Sequence, residues 1–259
     1  MVRLASGIVL GAAAVAAIRF LPIDALRVLA VVVAALAAHE YLQIAGTAAL
    51  ARQAVPIAAT MLLCALVACE VPIDSAALVL VALAWIATDL LATGRPLPQA
   101  AADLVAPIYI GAPLGSLVVV QVKGGWQATL LLVALVIVSD SAQYYCGRMF
   151  GRHPLAPSIS PKKTIEGAVG GLVFGMAFMV LAGSRLLPAA SLLSVAALGA
   201  AIVVLGICGD LFESRLKRLA GMKDSSSLIP GHGGVLDRID ALLFAAPAFY
   251  VYLRSTLTL

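Results

Sequence analysis

The sequence predicts an all-α fold: a polytopic integral membrane protein of about nine transmembrane helices. Of its 259 residues, 63% are hydrophobic and only 12% are charged, whereas soluble domains are about half apolar and a quarter charged. The mean hydropathy is +1.07. Apolar runs of about 20 residues, the length that crosses a bilayer core, recur along the chain. No polar segment is long enough to build a soluble domain, so we expect a single membrane domain over 1–259.

Pro, Gly and charged residues interrupt the apolar runs and divide the chain into nine candidate helices. The predicted helices cover 5–21, 25–45, 54–71, 75–93, 103–122, 126–146, 165–187, 190–213 and 238–257. The first run has the look of a secretory signal peptide, but Arg19 interrupts it and more spans follow at once. We therefore interpret it as the first membrane helix. Residues 1–125 form the N-terminal helical part, and 126–259 form the part that carries the motifs described below.

The distribution of Lys and Arg predicts the orientation of these helices, because cytoplasmic loops are enriched in both residues. With the N-terminus in the cytoplasm, 12 of the 17 Lys and Arg residues lie inside. The two largest polar segments, 147–164 and 214–237, then face the cytoplasm together and can share one site. This orientation, with contacts to anionic lipid or phosphate, accounts for the net charge of +4. We expect no nucleic-acid partner.

Charged side chains are costly inside membrane spans and usually face the bundle interior or a wet cavity, and four acidic residues in the predicted spans stand out. They are Glu40, Asp89, Asp140 and Asp210. Asp89 lies near a helix end and is at least as well explained as an interfacial residue. Glu40 is either a structural hydrogen-bonding group between helices or a functional one. Asp140 and Asp210 each precede a basic cytoplasmic segment, and this position favours a functional role.

The basic segment after Asp140 contains a candidate phosphate-binding helix start. Ser160 is suited to cap a helix whose first position is Pro161. Such a helix would present Lys162 and Lys163 where backbone N–H groups already favour phosphate. A solvated, positively charged loop would explain the basic residues equally well, but not the acidic residue beside them.

The segment Ser214–Asp240, SRLKRLAGMKDSSSLIPGHGGVLDRID, concentrates the groups that phosphate transfer requires. Asp237 and Asp240 are three residues apart and would share a face of a helix. Carboxylate oxygens bind Mg²⁺, the cation neutralises phosphate charge, and basic side chains stabilise a departing pyrophosphate. His232, which glycines flank, is open to two interpretations: a structural residue or a base.

This segment resembles the phosphatidate cytidylyltransferase family, also called CDP-diacylglycerol synthases. The family pattern is Ser, an aliphatic residue, Lys-Arg, Lys-Asp, His-Gly-Gly, an aliphatic residue, Asp-Arg, an aliphatic residue and Asp, at set spacings. Its positions are filled here by Ser214, Leu216, Lys217-Arg218, Lys223-Asp224, His232-Gly233-Gly234, Val235, Asp237-Arg238, Ile239 and Asp240. The upstream matches include Asp140-Ser141, Gly147-Arg148 and Ser160-Pro161-Lys162-Lys163-Thr164. The resemblance covers about 140–240, and His39-Glu40-Tyr41 weakly resembles the aromatic-Glu-aromatic motif of the family's second span.

The resemblance implies a reaction in which the phosphate of phosphatidic acid attacks the α-phosphorus of CTP, giving CDP-diacylglycerol and pyrophosphate. It also implies dependence on Mg²⁺, with K⁺ as a second metal, and metal binding by Asp210 and Asp237. We expect the catalytic residues to be Asp210, Asp237, Lys217, Arg218, Lys223, Asp224, His232 and Arg238. Of these, Lys217, Arg218 and Lys223 are expected to take the triphosphate or pyrophosphate. The expected substrate-binding residues are Lys162, Lys163, Ser214, Gly233, Gly234, Asp140 and Asp240.

Two other classes of membrane protein are alternatives to a cytidylyltransferase. A proton- or ion-coupled transporter would have pseudo-symmetric halves, whereas the charged groups here crowd into the C-terminal half on one side. A phosphatidyltransferase would carry a D-G-x-x-A-R signature, which is absent from the sequence. We expect a bacterial inner-membrane protein whose active site faces cytoplasmic CTP, and a homodimer is compatible with the resemblance.

Overall fold

A computed structural model describes residues 2–47, 49–93, 97–187, 190–226, 228–229, 231 and 233–257. The helices are α1 (Val2–Phe20), α2 (Ile23–Ile44), α3 (Leu50–Ala68), α4 (Ser75–Thr93), α5 (Leu97–Ala106), α6 (Ala112–Phe150), α7 (Ile165–Phe178), α8 (Ser184–Leu186), α9 (Leu192–Leu219) and α10 (Leu236–Leu257). The π-helical turn Pro107–Gly111 joins α5 to α6, and a second one, Met179–Gly183, joins α7 to α8. Strands β1 (Pro154–Ala156) and β2 (Ser160–Thr164) form an antiparallel hairpin between α6 and α7.

The described helices confirm the predicted all-α membrane class. Five helical segments among the described residues are long and apolar enough to cross a membrane: Ile23–Ile44, Leu50–Ala68, Ala100–Phe150, Ile165–Leu186 and Leu192–Leu219. Two shorter apolar helices cover Ser6–Phe20 and Ala76–Thr88. The count of nine spans stays a prediction, because two predicted spans run together within Ala100–Phe150.

Gly125 marks the boundary between those two predicted spans. Its φ of 73° and ψ of 178° are not helical, so the helix axis breaks at this residue. Glycine is the residue that adopts this conformation without strain. Beyond the break, α6 continues to Phe150, so Gly147 and Arg148 lie on its last turns rather than in a loop.

Two clusters of buried side chains hold α10 in place. The first cluster joins α6, α9 and α10 through residues such as Leu132, Ile202 and Phe249. The second joins α2 and the π turn before α6 to α10, through residues such as Leu42 and Leu243. Because α10 contributes to both clusters, its amino end is positioned against α2 as well as α9.

The division of the domain at 125/126 stays a prediction.

The predicted helix start at Ser160 is wrong. Residues 160–164 form β2, in which Thr164 pairs with Pro154 and Ser160 pairs with Ala156. Helix α7 begins at Ile165 instead, and the Oγ1 atom of Thr164 caps it by accepting a hydrogen bond from the backbone N–H of Gly167 at 3.1 Å. Proline has a fixed φ that suits a strand edge as well as a first helical turn, so the local sequence did not decide between them.

Candidate active site

A cavity of about 370 Å³ lies where the end of α6, strand β2, the start of α7 and the C-terminal half of α9 meet. Its charged side chains come from three elements: Asp140 and Arg148 from α6, Lys162 and Lys163 from β2, and Asp210 from α9. The fold therefore brings together acidic and basic residues that are up to 70 positions apart in the sequence.

Lys163 and Asp210 form an ion pair across this cavity, with the lysine Nζ in contact with the aspartate Oδ2. The other oxygen of Asp210 accepts a hydrogen bond from the hydroxyl of Ser214 at 3.2 Å. The two ion-paired side chains are 21% and 35% exposed, so a ligand in the cavity has access to both. Asp140 lies close enough to Lys163 and Asp210 to interact electrostatically with each.

A second ion-pair cluster lies further along α9 and is nearly buried. The Nζ atom of Lys217 contacts Oδ1 of Asp237 and lies 2.5 Å from Oε2 of Glu213. The side chains of Lys217, Asp237 and Glu213 are 10%, 7% and 1% exposed. Within the described part of the chain, Oε1 of Glu213 has no hydrogen-bond partner. One ammonium group thus balances two buried carboxylates.

The first turn of α10 brings this second cluster against the first. A Cβ atom on Gly209 would lie 2.5 Å from the backbone oxygen of Asp240, so α10 packs directly against α9 beside Asp210. Asp240 also interacts electrostatically with Asp210, Asp140 and Lys217. Asp210 on α9 and Asp237 at the start of α10 therefore lie on two helices that pack against each other.

Asp237 is held by the segment that precedes it. Its Oδ2 atom accepts hydrogen bonds from the backbone N–H of Ser225 at 2.9 Å, the hydroxyl of Ser225 at 2.8 Å and the backbone N–H of Gly234 at 2.8 Å. Asp237 lies at the amino end of α10, ahead of its apolar part. Burial alone would raise the pKa of Asp237, but Lys217 and these donors hold that pKa well below its ordinary range. The carboxylate is therefore ionised.

Gly233 allows the segment to pass this close to Asp237. Its φ is +79°, in the left-handed region, and a Cβ atom there would lie 2.4 Å from Oδ2 of Asp237. Both the backbone conformation and the space therefore require glycine at this position.

Glu40 reaches the same segment from α2. Its carboxylate is 3% exposed and accepts four hydrogen bonds, from the hydroxyls of Ser225 and Ser226 and from the backbone N–H groups of Val235 and Leu236. The sequence left Glu40 open between a structural and a functional role. The structure shows that it links the second helix to the segment that carries Asp237.

The other predicted site residues lie at the edge of this arrangement. Arg218 donates to two backbone carbonyl groups, one in the turn of the hairpin and one just after α9. Lys223, Asp224 and Arg238 are exposed. His232 lies outside the described residues.

Sequence reasoning missed Glu213 and Ser225. Glu213 is three residues after Asp210 and four before Lys217, so helical spacing would have placed it on their face of α9. Ser225 had no comparable signal, because its partners Glu40 and Asp237 come from distant helices.

The two clusters fit Mg²⁺ in the type of donor that they offer. All three acidic side chains offer carboxylate oxygens. In Asp210 and Asp237 one of these oxygens contacts a lysine ammonium group, and in Glu213 the Oε1 atom has no hydrogen-bond donor within the described residues. Among the described residues, no group of three acidic, His or Cys side chains is placed to bind a metal together. Mg²⁺ commonly takes one or two carboxylates and completes its coordination with water and substrate phosphates, so three protein ligands are not required.

Comparison with known proteins gives a match over nearly the whole chain. The sequence model of the family described as "Cytidylyltransferase family" matches residues 1–256.

Individual relatives match over shorter stretches. The phosphatidate cytidylyltransferase of Aquifex aeolicus is 43% identical over 122 residues, which is 47% of this chain and 45% of the relative. That of Pseudomonas aeruginosa is 46% identical over 123 residues, 46% of this chain and 45% of the relative. The uncharacterized protein YnbB of Escherichia coli is 43% identical over 134 residues, 52% of this chain and 45% of the relative. The chain thus spans about half the length of the curated relatives it matches.

Proposed function

The chain belongs to the cytidylyltransferase family, and from that premise we propose that it transfers CMP from CTP to phosphatidic acid, giving CDP-diacylglycerol and pyrophosphate. The observation that carries this proposal is the cavity in which Asp140 and Asp210 face Lys162 and Lys163. Relatives named phosphatidate cytidylyltransferase support the same substrates. Nothing in the comparisons favours the alternative of a transporter.

In the proposed reaction, a phosphate oxygen of phosphatidic acid forms a bond to the α-phosphorus of CTP while the bond from that phosphorus to the pyrophosphate oxygen breaks. A phosphate monoester is largely ionised at neutral pH, since its second pKa is about 6, so the nucleophile needs no strong base. The main difficulty is electrostatic, because two unit charges about 4 Å apart near a protein surface interact by about 4 kcal/mol. Basic side chains that face both substrates reduce this repulsion.

The side chains that line the cavity take the phosphate groups. We assign Lys162, Lys163 and Arg148 to the phosphates of the lipid and the nucleotide, because all three line the cavity. We also assign Arg218, Lys223 and Arg238 to attracting the triphosphate, since Lys223 and Arg238 are exposed. Mg²⁺, held by Asp210 and Asp237 with K⁺ as a second cation, would neutralise charge on the triphosphate.

For Lys217, the contacts support a role other than binding the triphosphate or pyrophosphate. Its ammonium group is already shared between Glu213 and Asp237, and its side chain is only 10% exposed. We therefore assign Lys217 to holding these two carboxylates in place rather than to binding the nucleotide.

The protein is an integral membrane protein by the length and apolar character of its helices. We place it in a bacterial inner membrane with the cavity at the cytoplasmic face, where CTP is present and where the predicted topology puts most of the Lys and Arg residues. Phosphatidic acid would then keep its acyl chains in the bilayer while its head group enters the cavity. A homodimer also stays part of the proposal.

The proposal is tested by supplying CTP labelled on its α-phosphate to purified, detergent-solubilised protein. We expect label to move into organic-extractable lipid only when phosphatidic acid and Mg²⁺ are both present. Label that stays in the aqueous phase under all conditions would reject the proposal, and substrate flux into proteoliposomes would then support the transporter.

Matched lysine variants connect the activity to the cavity. Lys163→Ala removes the partner of Asp210, whereas Lys123→Ala removes the partner of Glu70, in an ion pair that lines a different cavity. We expect the first variant to lose label transfer and the second to keep it. Equal activity in both variants would mean that the 370 Å³ cavity is not the active site.

A further inference from the structure

We infer that Glu40 is a positioning residue of the active site: it clamps the segment 225–236 to α2 and thereby holds Asp237 in place. The inference rests on the proposed function, which assigns Asp237 to the site. It concerns a residue on the second helix, about 200 positions before the aspartate on which it acts.

The hydrogen bonds of Glu40 hold the segment at both of its ends. At the first end, the hydroxyls of Ser225 and Ser226 donate to its two oxygens at 3.1 and 2.7 Å. At the second end, the backbone N–H groups of Val235 and Leu236 donate to the same two oxygens at 3.0 and 2.8 Å. A single carboxylate therefore binds residues at both ends of the segment.

The groups that donate hydrogen bonds to Glu40 either also donate to Asp237 or lie close in the chain to a group that does. The hydroxyl of Ser225 has a single proton, which it shares between Oε2 of Glu40 at 3.1 Å and Oδ2 of Asp237 at 2.8 Å. Gly234, which donates its N–H to Asp237, directly precedes the two residues that donate theirs to Glu40. Movement of Glu40 would therefore move all three donors to Oδ2 of Asp237.

Gly234 shows how closely the carboxylate packs on the segment. A Cβ atom at this position would lie 2.1 Å from the Ser225 hydroxyl oxygen and 2.4 and 2.5 Å from the two oxygens of Glu40. Real Cβ atoms do not approach oxygen this closely. The second glycine of the His-Gly-Gly motif is therefore explained by the position of Glu40.

Glu40 is adjacent to an aromatic cluster that connects α2 with α9 and α10. Its neighbour Tyr41 contacts Tyr109 edge-on, with ring centroids 5.9 Å apart. Tyr109 in turn contacts Phe212 of α9 and Phe244 of α10, at 5.0 and 6.1 Å. This aromatic cluster packs α2 against the two helices that carry Asp210 and Asp237, and so helps to position Glu40 relative to Asp237.

The variant Glu40→Gln tests this role because it keeps the volume of the side chain and removes half of its acceptors. Each oxygen of Glu40 accepts one backbone N–H and one hydroxyl, so a glutamine amide nitrogen would face one of the N–H donors. The matched control is Glu70→Gln, because Glu70 pairs with Lys123 at a different cavity.

The first measurement is the dependence of label transfer on Mg²⁺ concentration. Removing the groups that orient a metal ligand typically lowers metal affinity or activity by about 10- to 100-fold. We expect Glu40→Gln to raise the half-saturating Mg²⁺ concentration by about 10- to 100-fold, and to regain much of the wild-type turnover at high Mg²⁺. Glu40→Asp, which keeps both oxygens, should lie between Glu40→Gln and the wild type. An equal loss of turnover at every Mg²⁺ concentration would overturn the inference.

The second measurement needs no activity. Lys223 is exposed just before the clamped segment, so trypsin cleavage after Lys223 reports how firmly the segment is held in the detergent-solubilised, full-length protein. We expect faster cleavage in Glu40→Gln and an unchanged rate in Glu70→Gln. If Glu40→Gln does not fold, Ser226→Ala removes only one of the four donors and is compared with the wild type in both assays.

The two assays separate the inference from the proposed function. If the wild-type protein transfers no label but Glu40→Gln speeds cleavage, the clamp stands and the proposed reaction is rejected. If the wild-type protein is active while Glu40→Gln has wild-type cleavage and wild-type Mg²⁺ dependence, the reaction stands and the clamp is rejected.

Discussion

Replacing Lys217 with Met should destabilise the protein strongly. Its ammonium group is the shared partner of Glu213 and Asp237, and these two side chains are 1% and 7% exposed. The variant keeps a side chain of similar length but leaves two buried carboxylates without their counterion. Removing one partner of a buried ion pair typically costs about 3–5 kcal/mol, because the remaining charge is poorly solvated.

The two carboxylates should not contribute equally to this cost. Asp237 keeps three donors to its Oδ2 atom in the variant. Glu213 loses the contact at Oε2, while its Oε1 atom already lacks a partner within the described residues. We therefore expect Glu213→Gln, added to Lys217→Met, to recover roughly half or more of the lost free energy of unfolding.

The assay is thermal unfolding in detergent, followed for the wild type, the single variant and the double variant. For a domain of this size about 1 kcal/mol shifts the melting temperature by about 2–4 °C, so Lys217→Met should melt roughly 6–20 °C lower. Lys123→Met is the matched control, because its ion pair with Glu70 is more than one-third exposed on both sides. Such a surface pair contributes only about 0–1 kcal/mol.

Two results would refute this reasoning. One is a Lys217→Met protein that melts at the wild-type temperature. The other is a double variant that is no more stable than the single variant, since the cost would then not come from the unbalanced charge of Glu213.

Three further predictions follow from the site. Lys163→Ala should lower turnover by about 100-fold with little change in melting temperature, because it removes a cation aimed at phosphate charge; unchanged turnover at saturating CTP would contradict this assignment. Thr164→Ala should lower the free energy of unfolding by about 1 kcal/mol through loss of the cap on α7, and Thr164→Ser should restore it; equal melting of both variants would exclude the cap. Chelation of Mg²⁺ with EDTA should abolish label transfer and added Mg²⁺ should restore it, whereas full activity in EDTA would show that Asp210 and Asp237 bind no required metal.

The membrane class and the approximate helix positions could be predicted from the sequence, because burial in a bilayer requires long apolar runs that local composition reveals. The break at Gly125 likewise fell between two predicted spans, since its flanking residues interrupt the apolar pattern. The hairpin at 160–164 could not be predicted in this way. Strand pairing there depends on Pro154 and Ala156, whereas the local pattern favoured a helix cap at Ser160.

The candidate site likewise has features that the sequence predicted and features that it did not. The residue types and spacings of Ser214–Asp240 were enough to identify the chemical groups and their family resemblance. They did not show which basic side chain pairs with which carboxylate. In the structure, Lys163 of the hairpin pairs with Asp210, and Lys217 pairs with Asp237. These pairs depend on side-chain directions that the packing of α6, α9 and α10 sets.

By itself, therefore, the sequence determined that this chain enters a membrane as helices and that it carries the charged motifs of its family, because both are local properties of residue type and spacing. Only the tertiary structure decided that Glu40 of α2 holds the segment before Asp237 and that Glu213 is buried beside Lys217. The contacts of Glu40 join residues far apart in the chain, and the burial of Glu213 depends on how the helices pack rather than on any local pattern.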